Sequence, residues 1–207
     1  MQEQESYVML TGIIGEPASG KTAVFHRLTE PHLGFKPRVE RYFSLARRIP
    51  VEIDGFKVNI DWRCLDRDVD PKLFAKNSKL FLCVFDAEIP ELAKLKMRLG
   101  SCLQVYESVP PVIFVRAKSD LMPDDEGSKE KVEIDALARD LNINHFEIVS
   151  VSAQKNTGFE ELHAAIINSL RPAAMEAKRL HEESLLERGA AQSAAVGGAP
   201  ETTCRIL

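Results

Sequence analysis

The chain has 207 residues, 44% of them hydrophobic and 28% charged, with a formal net charge of −4. That length can bury one sizeable core, and the mildly acidic balance, with no Lys/Arg stripe, argues against nucleic acid as a partner. Cys64, Cys83, Cys102 and Cys204 form no Cys-x-x-Cys pair and no zinc spacing with the histidines, which fits a reducing, cytoplasmic setting. Met1–Tyr7 is polar, and the most apolar run, Leu80–Phe85, is too short to cross a bilayer.

In chain order, the apolar segment Tyr7–Ile14 reads as a strand and leads into Gly15-Glu16-Pro17-Ala18-Ser19-Gly20-Lys21-Thr22. A helical pattern with Val24, Phe25 and Leu28 follows. Ile49–Ile53 and Lys57–Asp61 read as two strands joined at Asp54-Gly55, a hairpin signal. Leu80–Phe85, Val112–Ala117 and Phe146–Ser150 are strands, the first two with the unbroken apolar character of strands covered on both faces. Glu91–Tyr106, Lys129–Leu141 and Phe159–Leu170 carry apolar residues every three or four positions and read as helices.

This alternation predicts an α/β three-layer sandwich: a mostly parallel sheet, one antiparallel edge strand, and ligands beyond the carboxyl ends of the strands. Residues 1–171 form the expected domain. Residues 172–207 form an extension: a charged helix over Ala173–Arg188, an Ala/Gly/Ser-rich linker over Gly189–Thr203, and Cys204-Arg205-Ile206-Leu207.

Gly15-x-x-x-x-Gly20-Lys21-Thr22 satisfies the P-loop pattern, in which small residues let backbone N–H groups wrap phosphate oxygens. The expected phosphate-binding residues are Gly15, Ala18, Ser19, Gly20, Lys21, Thr22 and Ala23. Lys21 would bridge the terminal phosphates, the Thr22 hydroxyl would hold Mg2+, and the following helix would aim its positive end at the anion. A glycine turn that merely caps a structural helix is the plain alternative.

Two later segments bear on the reading of the loop. Ala117-Lys118-Ser119-Asp120 follows the strand Val112–Val115, and Ser152-Ala153-Gln154-Lys155 follows Phe146–Ser150. They resemble the Asn-Lys-x-Asp and Ser-Ala-Lys base-recognition elements of Ras-superfamily small GTPases, in the expected order. Val84-Phe85-Asp86 and Thr157-Gly158 are also similar to that family, and residues 7–171 carry the resemblance. The Gly15–Thr22 loop and Phe43–Arg48 are closest to atypical Rab-like members, some connected with cilia.

The resemblance implies a P-loop NTPase fold of the small GTPase type, GTP/GDP and Mg2+ as cofactors, and a base site at Ala117, Lys118, Asp120, Ser152, Ala153 and Gln154. A carboxylate at Asp120 can accept from guanine's ring N–H and amino group, a pair of donors that adenine lacks. Ala117 replaces the family's asparagine, and losing that amide should cost about 1–3 kcal/mol of affinity.

Departures accumulate at the switches. Glu30 to Asp61 contains no threonine, and Ser44 is the nearest substitute. If Asp61 is the metal aspartate, paired with Thr22 around Mg2+, then Cys64 takes the glycine position and Leu65 the catalytic glutamine position; a shifted register restores no Asp-x-x-Gly. Leucine cannot orient water, so hydrolysis should be weak or absent, with no certain catalytic residue. Pro17 removes one N–H donor from the loop but tolerates a turn.

The expectation is a guanine-nucleotide-binding, Rab-like regulator of membrane or ciliary traffic, with a pseudo-GTPase scaffold as the alternative and a P-loop ATPase or kinase as a third reading. Cys204 fits a prenylation box with Leu207 favouring geranylgeranyl, though Arg205 is not aliphatic and an unmodified thiol is the alternative. From Pro172 onward Lys178, Arg179, Arg188 and Arg205 are outnumbered by Glu176, Glu182, Glu183, Glu187 and Glu201, so no polybasic signal assists one lipid. The implied partners are effector or trafficking-complex proteins, a prenyl-binding carrier, and reversible attachment to the cytosolic face of a membrane.

Overall fold

The computed structural model describes residues 7–31, 46–65, 69–121 and 127–196. Its elements are β1 (Tyr7–Gly15), α1 (Lys21–Thr29), β2 (Ala46–Ile53), β3 (Phe56–Cys64), α2 (Pro71–Ala75) and β4 (Ser78–Asp86). Then follow α3 (Leu92–Leu103), β5 (Val112–Ala117), a 3-10 turn (Ser119–Leu121), α4 (Gly127–Asp140), β6 (Phe146–Val151) and α5 (Phe159–Val196).

The six strands lie in the order β2-β3-β1-β4-β5-β6. All neighbours are parallel except β2 and β3, which form an antiparallel pair at one edge. Asp54 and Gly55 turn that hairpin with φ of 48° and 76°, the two positive values that a tight primed turn requires.

Alternation along the inner strands sends side chains to opposite faces. On β4, Leu80, Leu82 and Val84 join one core with Val24, Phe25 and Leu28 of α1 and Leu162, Ile166 and Leu170 of α5. Phe81, Cys83 and Phe85 join the other core, with Leu95 and Leu99 of α3 and Ile134 and Leu137 of α4. Helices therefore cover both faces, and β4 and β5 have no wet side, which accounts for their continuous apolar runs. Burial pushes the Cys83 thiol up and raises that of Cys102 to about 12, so both remain protonated packing groups.

Two elements differ from the sequence expectation. The short helix α2 has only five residues and no apolar period, yet it carries clear capping: the Asp70 carboxylate accepts from the Lys72 N–H and Pro71 occupies the first turn. At the other end of the chain, Phe159–Leu170 and the charged extension are one continuous helix through Pro172, reaching Val196. Pro172 withdraws a single N–H, whereas Ala174 and Ala177 are buried against the core and anchor the helix beyond it. The linker expected from Gly189 onward is helical as far as Val196, consistent with the strong helix preference of alanine. Residues 197–207, including Cys204, lie outside the described residues.

The chain leaves β1 toward β3 on one side and reaches β4 on the other. β1 is thus where the sheet order reverses, and the crevice at its carboxyl end is where ligands of open α/β sheets bind. The Gly15–Thr22 loop occupies that crevice.

Candidate functional site

The loop between β1 and α1 is shaped by what glycine omits. Gly15 ends β1 beside Val84, where an added Cβ would stand 2.2 Å from the Val84 carbonyl oxygen and 2.8 Å from Ser19 Oγ. Gly20 has φ of 96° and opens α1 as its N-cap without a side-chain bond. Ala18, too, has positive φ, at 63°. The first helical bond runs from the Val24 N–H to the Gly20 carbonyl, leaving the N–H groups of 21–23 without intrahelical acceptors. Together with the positive helix end, they are suited to an anion.

Lys21 Nζ donates to the Glu16 carbonyl at 2.6 Å, which folds the side chain back over the loop. Thr22 is half-buried in the first turn. Ser19 is only 3% exposed, and its hydroxyl has no hydrogen-bond partner among the described residues. An orphaned hydroxyl, absent Cβ atoms and the first-turn end of a helix fit a bound phosphate chain.

Arg98 on α3 braces the loop, with Nε 3.2 Å from Glu16 Oε1 and Nη1 donating to the Gly15 carbonyl at 3.4 Å. Between loop and α3 lies a cleft of about 230 Å³ lined in part by Glu16, Pro17, Ser19, Asp86, Ile89 and Leu95.

The segments expected to read a base arrive at the same end of the sheet. Ala117 closes β5 on the α1 face, and a Cβ on Gly20 would lie 2.9 Å from its Cβ, so these two positions touch across the whole length between them. Lys118 follows with φ of 60° and forms an ion pair with Asp86. Asp86 uses its other oxygen to accept from the Glu88 N–H at 3.0 Å. Asp120 sits in the 3-10 turn, half-buried.

After β6, Ser152 and Thr157 exchange backbone bonds, the Ser152 hydroxyl accepts from the Lys155 N–H at 3.0 Å, and Asn156 and Gly158 take positive φ. The Ala153 carbonyl accepts from Arg27 Nε at 3.1 Å and Nη2 at 2.8 Å, which ties this turn to α1, while Gln154 is exposed. Gly15–Ala23, Ala117–Asp120 and Ser152–Gln154 therefore lie side by side across the carboxyl ends of β1, β5 and β6.

Asp61 does not join them. It pairs with Leu10 in mid-strand, and at a rise of about 3.3 Å per residue this places it roughly 16 Å before Gly15. Its carboxylate instead holds Arg63 Nη2 at 2.9 Å and has Arg48 Nη2 at 3.9 Å. Leu65 donates its N–H to the Ile13 carbonyl at 2.8 Å and is 2% exposed, packed in the α2/α3 core rather than turned toward the loop. Ser44 lies outside the described residues. No group of three or more His, Cys, Asp or Glu side chains able to hold a metal occurs among the described residues.

Sequence reasoning missed Arg27 and Arg98, and used Asp86 only as part of a resemblance. The arginines leave no motif, because each acts on a backbone carbonyl whose position only the fold supplies. Comparison with known proteins adds no relative: no protein-family model and no curated protein matches the chain.

Proposed function

We propose that the protein is a guanine-nucleotide-binding regulator on a small-GTPase-type P-loop fold, holding GDP or GTP with Mg2+ and hydrolysing GTP weakly. The observation that carries this reading is the contact of Gly20 with Ala117, which sets the phosphate loop directly beside Lys118 and Asp120. A diphosphate on the N–H groups of 20–23 would extend its nucleoside along the ends of β5 and β6. The Asp120 carboxylate would accept from the guanine edge, the Lys118 stem would cover its face, and the Ala153 N–H would reach its carbonyl. Mg2+, when bound, would supply charge neutralisation, and Thr22 is the residue that would hold it.

The test is competition binding on purified protein. Guanine nucleotides should bind, and Asp120→Ala should lower GDP affinity at least about tenfold, while ADP remains weak for both proteins. Equal affinity of the wild type for ADP and GDP refutes guanine selectivity, and an empty site favours the scaffold alternative. A second expected result is that Ala117→Asn tightens GDP binding, because the new amide would stand against the Gly20 backbone. Unchanged or weaker GDP binding by a folded variant contradicts that placement.

The pseudo-GTPase reading has its own support, since Leu65 is committed to the core and Asp61 to two arginines. Turnover of GTP should lie below about 10⁻⁴ s⁻¹. Among the described residues no helix is long and apolar enough to cross a membrane. Prenylation of Cys204, and through it a carrier protein, a trafficking partner and reversible membrane attachment, completes the proposal. Mass spectrometry showing free Cys204 with Leu207 retained refutes that part.

A further inference from the structure

We propose that Arg27 is a positioning residue for base recognition, tying the phosphate-bearing helix α1 to the 152–157 turn in place of the amide missing at Ala117. The inference rests on the guanine-site reading and adds to it the residue that holds the base loop in register. Both Nε and Nη2 of Arg27 converge on the Ala153 carbonyl, so the tie is a forked, charged one rather than a single exposed contact.

The turn that Arg27 grips is internally well defined. Ser152 pairs with Thr157, Ser152 Oγ holds the Lys155 N–H, and at Gly158 a Cβ would lie 1.9 Å from the Ser150 carbonyl oxygen. Such a unit moves as one body, and its orientation toward the base is set by what holds it from outside. Ala117 fills its position with a methyl group against Gly20, which packs but donates nothing. Arg27 lies in the last turn of the helix that begins with Lys21, so one short helix carries the phosphate-facing amides at its start and, near its end, the side chain that orients the loop that meets the base.

The experiment has two arms on full-length protein. In the first, hydrogen exchange without ligand should be faster at the amides of 152–157 in Arg27→Ala than in wild type, with α5 and β4 unchanged. In the second, GDP affinity should fall about tenfold while inorganic pyrophosphate, which needs only the loop, is displaced at an unchanged concentration. Arg27→Lys, keeping the charge but not the two-nitrogen fork, should recover part of the GDP affinity. Unchanged exchange at 152–157, or a parallel loss of GDP and pyrophosphate binding, overturns the role of Arg27. Wild-type protein that binds pyrophosphate but not GDP instead overturns the guanine site itself, and this role with it.

Discussion

Lys21→Ala should lower affinity for GDP by about a hundredfold or more, with little change in melting temperature. In the structure Lys21 Nζ rests on the Glu16 carbonyl at 2.6 Å, a bond the loop can spare when phosphate oxygens arrive. Each charge-assisted hydrogen bond to phosphate is worth about 1.5–3 kcal/mol, and two of them correspond to roughly 10²–10⁴ in affinity. Stability should be almost indifferent, since the ammonium group crosses no core. Isothermal titration of both proteins with GDP decides the point. If the folded variant keeps wild-type affinity, the phosphates do not lie in this loop.

The second large effect concerns stability. Gly15→Ala should destabilise the fold by about 3 kcal/mol or more and lower the melting temperature by roughly 6–12 °C. The reason is geometric: a Cβ there would approach the Val84 carbonyl oxygen to 2.2 Å in the middle of the sheet, where β1 pairs with β4 and neither strand can retreat. Gly55→Ala provides the contrast. That position has φ of 76° but open space around the added atom, so only the backbone strain of about 1–2 kcal/mol applies. Equal melting temperatures for the two variants would mean that Gly15 is not seated against β4 as described.

Much of this architecture could be read from the sequence, and for physical reasons. Strands buried on both faces, such as Leu80–Phe85, must be apolar throughout, and Asp54-Gly55 can accept two positive φ values, so strand identity and the antiparallel edge were both visible. Loop residues whose role is to lack a side chain, Gly15 and Gly20, were visible for the same reason. Asp61 misled because an aspartate near the end of a strand has the same letter whether it faces a metal or an arginine. Only the register opposite Leu10, and the neighbours Arg63 and Arg48, distinguish the two. The burial of Leu65 in the α2/α3 core was not legible, because it depends on helices remote from it in the chain. The expected division between residues 171 and 172 falls inside one helix: proline removes one helical bond at Pro172, but the buried Ala174 and Ala177 outweigh that loss, and packing of this kind has no local signature.

The continuity of α5 has a mechanical consequence. At 1.5 Å per residue its 38 residues make a rod about 57 Å long, whereas the nine-residue strand β4 spans roughly 30 Å. Among the described residues the rod is clamped to the sheet over its first half, through Leu162, Ile166, Leu170 and Ala174, whose core also contains Ala117. Any tilt at that clamp would be multiplied toward Val196 by simple leverage, because the far end of the helix lies well beyond the length of the strands.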